Sequence, residues 1–303
     1  MEDFNKNYST ICKLGQQIKR KFCSVYLVED KVTKERFILK KIVKKTSNHH
    51  LVNRLIKEAE FSFQHPQLPK VINLYETNTE VALLIEFKDG IELSVFWKNY
   101  KKDNKIEIWK KIIEQLIEPL EYLKKNKIVH CDLKPSNILI ELNNDSIIPH
   151  LIDFGLAVKT DEKEHRTTLF PLGYAAPELI LNKRNCIDHT TDLFSIGIIS
   201  WQLFCNQLPI IHQNPSIMTN LQITHPLPNH PKLKNEVYTI LSKMCYKHNF
   251  AIPPNKMNQN NVEKLLIEAN KERYQSLPEL YNDLINIEFK ISFLQKMINR
   301  ILF

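Results

Sequence analysis

The chain has 303 residues, of which 43% are hydrophobic and 25% are charged. These proportions are typical of globular proteins and exclude disorder, a collagen-like repeat or a coiled coil as the main state. The length fits one large domain or two closely packed ones. A formal net charge of +8 is compatible with acidic partners, nucleic acid or an anionic membrane surface, but a lysine-rich solvated surface explains it more simply.

The cysteines, glycines and apolar stretches further restrict which class of protein this chain can be. Six cysteines are scattered without a C-x-x-C pair, which indicates a reducing compartment and no structural metal. No signal-peptide pattern and no apolar stretch of about 18 residues occurs, so we expect a chain that is neither Sec-exported nor membrane-spanning. Only five glycines are present, where average usage would give about 21, so each is expected at a position that needs one.

The first 87 residues are predicted to be rich in strands, with one helix. Alternating apolar residues predict two strands joined by a turn, at 24–28 and 36–43. Residues 51–63 repeat apolar side chains at helical spacing and precede His65-Pro66, which predicts the helix. Two more strands are predicted at 71–75 and 81–87.

The chain beyond Gly90 is predicted to be mostly helical. Apolar runs at helical spacing occur at 106–125, 191–204 and 262–269. Residues 247–261 contain two adjacent prolines and five asparagines, which predicts an exposed insertion. Residues 287–303 carry one apolar helical face, which we expect to pack on the chain's own body, with a membrane or a partner helix as the alternative.

Two short segments carry the strongest chemical signal. His130-Cys-Asp-Leu-Lys-Pro-Ser-Asn137 follows the long predicted helix, and Leu151-Ile-Asp-Phe-Gly-Leu-Ala157 follows a strand-like segment. Here the chain resembles the eukaryotic-type protein kinase family. The first segment keeps four of the five specified residues of H-R-D-L-x-x-x-N, and D-F-G begins 21 residues beyond Asp132.

The resemblance implies an α+β, bilobal protein-kinase-like fold. The N-lobe, residues 1–87, would hold a small antiparallel sheet and one helix, and the larger, mainly helical C-lobe would span residues 88–303. The active site would lie in the cleft between the lobes. Asp132 would orient and deprotonate the acceptor hydroxyl, Lys134 would contact the γ-phosphate, and Asn137 and Asp153 would bind Mg²⁺.

Phe37-Ile-Leu-Lys40 resembles the third-strand V-A-I-K motif, which implies that Lys40 contacts the α- and β-phosphates. Lys41 is adjacent, but strand alternation places Lys40 on the face of Ile38 and Ile42.

The ion-pair partner of this lysine is expected on the first helix. Glu58 matches the family pattern best. Glu60 stays an alternative, because the connection to His65-Pro66 is about two residues shorter than usual for the family.

Leu84 to Gly90 resembles the family's hinge, with Ile85 as gatekeeper, the backbone of Glu86 to Lys88 facing adenine, and Glu92 placed for the ribose. The expected ATP-binding residues are Ile18, Val25, Ile38, Lys40, Ile85, Glu86, Phe87, Lys88, Glu92 and Asp153.

Several further residues match positions that hold the family's fold together. Ala176-Pro-Glu178 matches A-P-E, Asp192 matches a structural aspartate of a buried helix, and Arg273 would be the partner of Glu178. Gly90, Gly155 and Gly197 fall on family glycine positions.

The glycine-rich loop departs from the family pattern. Its three glycine positions carry Ile18, Arg20 and Cys23, and side chains there hinder close approach of the backbone to phosphates. The substitutions are therefore expected to weaken ATP binding or to impose another loop shape. Residues 19–21 are all basic and would either supply cationic contacts or form a solvated turn.

The catalytic loop and the activation segment also depart from the pattern. Cys131 replaces the arginine that clamps an activation-loop phosphate in many relatives, so we expect activity that does not depend on phosphorylation of Thr160, Thr167 or Thr168. Lys134 is typical of Ser/Thr kinases, whereas Pro171 is more typical of tyrosine kinases. We favour Ser/Thr specificity, with dual specificity open.

Taken together, the resemblance implies a protein kinase that transfers the γ-phosphoryl group of Mg-ATP to Ser or Thr of protein substrates, with ATP and Mg²⁺ as cofactors. The alternative is a pseudokinase scaffold that binds nucleotide or a partner protein without useful turnover. The missing glycines favour that alternative, and the intact set of motif residues opposes it.

A basic nucleic-acid-binding module has no aromatic-interleaved basic platform to support it, so no DNA or RNA partner is expected. We expect a cytoplasmic protein. The segment at Arg273 resembles the ends of bacterial Ser/Thr kinase domains, and the Lys/Asn/Ile-rich composition suggests an AT-rich genome. Both features are compatible with a kinase of an intracellular bacterium that is delivered into a host cell.

Overall fold

The computed structural model describes residues 2–15, 23–100, 104–143, 146–162, 170, 172–250 and 252–287. They fall into two compact units, the first of residues 1–91 and 137–157 and the second of residues 92–136 and 158–303. The units differ from the expected lobes at residues 88–91 and 137–157, which join the first unit.

The helices and strands up to residue 86 are α1 (Glu2–Asn7), β1 (Tyr8–Leu14), β2 (Cys23–Asp30), β3 (Arg36–Val43), α2 (His49–Glu58), β4 (Val71–Glu76) and β5 (Glu80–Glu86). The later ones are β6 (Ile91–Glu92), α3 (Leu93–Asn99), α4 (Lys105–Lys125), β7 (Ile128–Val129), β8 (Ile138–Asn143), β9 (Ser146–Leu151), β10 (Val158–Lys159), α5 (Pro177–Ile180), α6 (His189–Cys205), α7 (Pro215–Thr224), α8 (Asn235–Met244) and α9 (Gln259–Glu272). Residues 277–287 are also helical. The predicted antiparallel, strand-rich first part and helical second part are confirmed.

The first unit is built on a five-stranded antiparallel sheet in the order β1-β2-β3-β5-β4. Because side chains alternate along a strand, β3 sends Ile42 to one face and Leu39 to the other. The first face packs against α2 through Ile42, Val52, Leu55, Val81, Leu83 and Ile85. The second face forms a separate core with Phe4, Val28, Leu39, Ala82 and Leu84.

The start of the chain adds α1 and the edge strand β1, which sequence reasoning missed. Helix α1 places Phe4, only 4% exposed, over the second face of the sheet. Its ring stacks on Tyr8 at 5.2 Å between centroids and meets the edge of Tyr75 at 5.8 Å. The expectation of a single helix before residue 87 is therefore wrong, because this short helix gains its stability from the aromatic face that it covers.

Helix α2 ends at Glu58, five residues before the predicted end. The backbone N–H of Ala59 donates to the carbonyl of Ile56, which turns the chain out of the helix. Phe61 and Phe63 are buried and pack on Phe154, with ring centroids 6.4 and 4.5 Å away. Their apolar character serves this contact rather than a helix face.

The β8–β9 hairpin belongs to the first unit. Gln67 anchors it, since its Nε2 donates to the carbonyl of Pro149 at 2.9 Å and its own carbonyl accepts from the N–H of Leu151 at 3.0 Å.

Gly90 has φ +139°, and a Cβ there would lie 3.0 Å from the backbone of Ile140. This position therefore needs glycine, as the scarcity of that residue predicts.

The second unit is organised around α6, which is buried along nearly its whole length. The side chain of Asp188 caps the helix by accepting from the N–H of Thr190 at 2.8 Å, and the helix ends at Asn206 in the left-handed conformation. A Cβ at Gly197 would lie 2.4 Å from Sγ of Cys245, so the small residue permits the close packing of α6 against the segment after α8.

The expectation of an exposed insertion at 247–261 is wrong for three of the residues that the structure describes there. Lys247, Phe250 and Pro254 are buried. Phe250 joins an apolar cluster with Cys186, Ile223, Val262 and Leu266, and Lys247 Nζ donates to the carbonyl of Gln222 at 2.9 Å. The segment thus contributes to the core of the second unit.

All six cysteines lie within the described residues and are free thiols. Among the described helices, none combines the length and apolar character needed to cross a membrane. Several sequence predictions fall outside the described residues, namely those on Ile18, Arg20 and the other basic residues of 19–21, on Thr167, Thr168 and Pro171, and on residues 288–303.

Candidate active site

Lys40 lies at the centre of the polar group in the first unit. Its Nζ is 2.5 Å from Oε1 of Glu58 and 2.8 Å from Oδ1 of Asp153. The three side chains come from β3, the end of α2 and the segment that follows β9. The fold therefore brings a cation and two carboxylates together from positions 113 residues apart in sequence.

Burial and charge act in opposite directions on this group. Burial alone would lower the pKa of Lys40, but the carboxylates of Asp153 and Glu58 outweigh it and raise that pKa. Burial raises the pKa of Glu58, and the ammonium of Lys40 opposes the shift. Lys40 therefore stays protonated at neutral pH, held between two acids.

The neighbouring candidates take other partners. Lys41 Nζ lies 2.6 Å from Oε2 of Glu80, and Glu60 Oε1 lies 3.2 Å from Nζ of Lys57. Glu58, and not Glu60, is thus the helix carboxylate in contact with Lys40.

Asp153 begins a segment with an unusual backbone. It has φ +68°, a conformation that costs about 1–3 kcal/mol for a residue with a side chain. The next residue, Phe154, is anchored by Phe61 and Phe63. A Cβ at Gly155 would lie 2.8 Å from Nε of Arg54, so α2 also approaches the third residue of the motif.

Asn137 ends a short 3-10 turn at Pro135–Asn137 and is buried. Its carbonyl accepts from the N–H of Ile152 at 3.0 Å. This bond joins the start of β8 to the residue before Asp153, so both expected metal ligands lie at the same end of the β8–β9 hairpin.

The second unit carries the loop before Asn137. Asp132 is 2% exposed, and Lys134 Nζ lies 2.8 Å from its Oδ2. The buried carboxylate of Asp192 accepts from the backbone N–H groups of His130 at 2.8 Å and Cys131 at 3.0 Å. Burial raises the pKa of Asp192, against the effect of His130 and of these two hydrogen bonds. Helix α6 thus holds the two residues that precede Asp132.

Cys131 occupies the position where the motif has arginine. It is 2% exposed with φ +62°, and its Sγ donates to the carbonyl of Val129 at 3.6 Å. Burial raises the pKa of this thiol well above its usual range, and the carboxylates of Asp192 and Glu178 act in the same direction. This residue is a neutral side chain that packs inside the loop.

Glu178 and Arg273 form a fully buried bidentate pair, with Nη1–Oε1 at 2.7 Å and Nη2–Oε2 at 3.1 Å. Thr191 Oγ1 also donates to Glu178, and Arg273 Nε donates to the carbonyl of Tyr246. The pair connects the residues after α9 to the start of α5 and α6.

A family-wide comparison agrees with these motifs. The model of the protein kinase domain family matches residues 8–272. The chain belongs to the protein kinase family. The match includes both units' motif residues, from Lys40 to Asp192.

Individual kinases are similar to this one at modest identity. The SNF1-like protein kinase ssp2 of Schizosaccharomyces pombe is 31% identical over 63% of this chain and 32% of its own length. The probable serine/threonine-protein kinase pXi of Dictyostelium discoideum is 34% identical over 65% of this chain and 28% of its own length. Mouse Aurora kinase C is 28% identical over 65% of this chain and 71% of its own length. The chain thus spans about a third of the length of the first two relatives.

The residues expected at the kinase hinge hold one another in place. Glu86 exchanges two hydrogen bonds with Lys70, its N–H donating to the carbonyl at 2.8 Å and its Oε2 accepting from the N–H at 3.0 Å. Lys88 Nζ turns inward to Oε1 of Glu86 at 2.7 Å and to the carbonyl of Pro66 at 2.9 Å. The N–H of Glu86 is therefore committed to the protein itself.

The remaining expected ATP-binding residues lie on or near the sheet. Ile38 pairs with Leu27 on β2 and with Ile85 on β5, and Val25 pairs with Lys40. Phe87 directly follows β5. In the second unit, the carboxylate of Glu92 accepts a hydrogen bond from Oγ of Ser94.

Sequence reasoning missed Arg184. This residue follows α5 and contacts the backbone of Lys159 and Glu162. No motif marks it, and the only sequence signal is a cation shortly after A-P-E in a kinase whose catalytic loop lacks its own arginine.

Proposed function

We propose that this kinase domain transfers the γ-phosphoryl group of Mg-ATP to Ser or Thr hydroxyls of protein substrates. The observation that carries the proposal is the ion pair of Lys40 with Glu58, joined by Asp153. Phosphoryl transfer in kinases requires this lysine–glutamate pair and the D-F-G aspartate to be in place together. Apolar residues often replace a buried ion pair without loss of stability, so the retention of this cation between two acids supports a chemical role.

Each remaining motif residue is assigned one role. Asp132 orients the acceptor hydroxyl and takes its proton, and Lys134 contacts the γ-phosphate. Their separation of 2.8 Å supports this assignment, because a cation there keeps negative charge favourable beside the reacting oxygen. The hydrogen bonds from the Asp192 carboxylate fix the backbone that carries Asp132.

The residues expected to hold magnesium fit a hard cation in their chemistry. Asn137 offers an amide oxygen and Asp153 a carboxylate, the ligand types that Mg²⁺ prefers. When bound, Mg²⁺ would neutralise phosphate charge. Asp153 already has one oxygen on Lys40, which orients its carboxyl group.

The proposal also includes the ATP-binding residues given above, a division into lobes of residues 1–87 and 88–303, and a cytoplasmic location. Ser/Thr specificity is supported by Lys134 and by the name of the Dictyostelium relative, a probable serine/threonine-protein kinase. Protein substrates are inferred from membership of the protein kinase family.

One observation favours a second candidate function, a pseudokinase scaffold. Ile18, Arg20 and Cys23 occupy the three glycine positions of the phosphate-binding loop, and their side chains restrict how closely backbone N–H groups approach phosphates. Such a protein would bind nucleotide or a partner without useful turnover.

Transfer of labelled γ-phosphate from Mg-ATP separates the two candidates. The substrates are the protein itself and a mixed protein extract, and the labelled amino acid is then identified. The Asp132→Asn and Asp153→Ala variants should lose the label, whereas Asp30→Asn, a carboxylate change in the β2–β3 turn, should keep it. The kinase proposal is supported if wild type and Asp30→Asn label Ser or Thr while Asp132→Asn and Asp153→Ala give no label.

Two results contradict the proposal. Label that persists in Asp132→Asn would point to a contaminating kinase. Absence of label from a folded protein that still shifts its melting temperature with Mg-ATP would favour the scaffold.

A further inference from the structure

The activation segment of this kinase is anchored at its start, residues 158–162, by backbone contacts. Val158 and Lys159 pair with Val129 and Ile128 in a two-stranded ladder. The N–H of Thr160 donates to the carbonyl of Lys127 at 2.8 Å, and the N–H of Glu162 donates to the carbonyl of Lys159 at 3.3 Å.

Arg184, which lies after α5 and beyond the A-P-E motif, contacts the same segment. Its Nε donates to the carbonyl of Glu162 at 3.0 Å, and its Nη2 donates to the carbonyl of Lys159 at 3.2 Å. The residue begins the 3-10 turn Arg184–Cys186 after α5. The planar guanidinium is suited to this task, because it presents several N–H groups in a fixed fork that spans two acceptors.

The side chains of the segment contribute less than these backbone contacts. Lys159 pairs with Glu162 at 3.2 Å and Lys127 with Asp161 at 3.3 Å, and all four side chains are about a third or more exposed. Exposed ion pairs of this kind add little stability. Within the described part of the segment, the main restraints are therefore the short ladder and the guanidinium of Arg184.

We propose that Arg184 is a positioning residue that fixes residues 159–162 without any phosphate on the segment. The inference rests on the proposed kinase function. Cys131 cannot serve as a phosphate clamp, since it is a buried neutral side chain. Arg184 bonds neutral carbonyl oxygens instead, so the order that it gives is built into the fold rather than added by modification.

Hydrogen exchange measures the anchor directly and needs no kinase activity. In Arg184→Ala, exchange at the amides of Thr160 and Glu162 should become about tenfold faster, the change expected when a hydrogen bond from a charged group is lost. The exchange rate in Arg184→Lys should lie between those of wild type and Arg184→Ala, because an ammonium group lacks the planar fork of donors. The matched control is Lys183→Ala, whose side chain pairs with Glu263 at 2.9 Å. Its exchange at both amides should equal that of wild type.

Steady-state kinetics then test whether the position of this segment affects phosphoryl transfer. Arg184→Ala should lower kcat/KM for a protein substrate about tenfold while KM for ATP stays within twofold, and Arg184→Lys should recover part of the loss. Treatment of wild type with a broad-specificity phosphatase should change neither exchange nor activity.

Three results would overturn the inference. They are equal exchange in Arg184→Ala and Lys183→Ala, unchanged kcat/KM in Arg184→Ala when wild type is active, and loss of wild-type activity after phosphatase. An inactive wild type would instead contradict the proposed function, and the exchange comparison would still decide whether Arg184 anchors the segment.

Discussion

The carboxylate of Asp192 offers the sharpest test of how the catalytic loop is held. It accepts the N–H groups of His130 and Cys131 at 2.8 and 3.0 Å, and Cys131 keeps φ +62° there. The change Asp192→Asn preserves the shape of the side chain but replaces one acceptor oxygen with an amide that can only donate. One backbone N–H is then left facing another donor in a buried place.

The expected loss of stability in Asp192→Asn follows from these contacts. A hydrogen bond to a charged group contributes about 1.5–3 kcal/mol, and a buried donor without an acceptor costs about 1–3 kcal/mol. Part of this loss is offset, because burying the charge is itself unfavourable, which is why the pKa of Asp192 is raised. We expect the free energy of unfolding to fall by about 3 kcal/mol. For 303 residues, at about 2.1 cal/mol/K per residue, this lowers Tm by about 5 °C.

The assay combines thermal unfolding with phosphoryl-transfer kinetics. Because the loop carries Asp132, kcat should fall about 100-fold, the scale expected for a misplaced catalytic group. Asp188→Asn is the control: it removes the same charge four residues earlier, where asparagine caps a helix as well as aspartate does, and it should leave Tm and kcat unchanged. If Asp192→Asn keeps Tm within 1 °C and kcat within twofold of wild type, the two hydrogen bonds do not position the loop.

Three further changes probe the rest of the molecule. Arg273→Met leaves Glu178 as an uncompensated buried charge, so it should destabilise the protein by about 3–5 kcal/mol, and adding Glu178→Met should recover part of that loss; a single variant with wild-type Tm would contradict this. Phe4→Ala should cost about 3 kcal/mol because the ring is 4% exposed, whereas Phe4→Leu should cost less than half as much; a Phe4→Ala variant with wild-type Tm would contradict this, and a Phe4→Leu variant with wild-type Tm would show that the aromatic contacts add nothing to apolar burial. Burial lowers the pKa of Lys247 to about 8, so its charge destabilises the folded state below pH 8 and ceases to do so as the pH rises toward its ordinary pKa of 10.5. The stability of wild type relative to Lys247→Met should therefore rise by about 1–3 kcal/mol between pH 7 and pH 10, measured as the difference in unfolding free energy, and parallel pH profiles would refute the argument.

The sheet and the long helices were predictable because their patterns are local. Alternation at 36–43 and helical spacing at 106–125 gave β3 and α4 with ends within one residue of those observed. The D-F-G and H-C-D motifs likewise identify their residues by spacing alone.

What the sequence could not reveal depends on partners far along the chain. Phe61 and Phe63 continue the apolar pattern of α2, yet they turn away to pack on Phe154. Phe250 lies in an asparagine-rich stretch, and only the apolar cluster around Ile223 and Val262 gives it a buried place. Short-range patterns carry no information about such contacts.

The site shows the same limit. Motif spacing named Lys40 and Asp153, but only the fold shows that one ammonium bridges Glu58 and Asp153. Arg184 bonds main-chain carbonyls, which any sequence provides, so no residue type on the partner side could mark it.

The distribution of the free thiols favours labelling of this kinase at Cys12. Thiolates are the reactive form of cysteine. Burial raises the pKa to about 12 in Cys186 and Cys245 and to about 11 in Cys205, and it also raises the pKa of Cys131 well above its usual range. Cys12 is exposed on the edge strand β1, whereas Cys23, at the start of β2, is only partly exposed. A maleimide fluorophore at neutral pH should therefore attach to Cys12 first, and electrophilic inhibitors aimed at the cysteine beside Asp132 should fail to react.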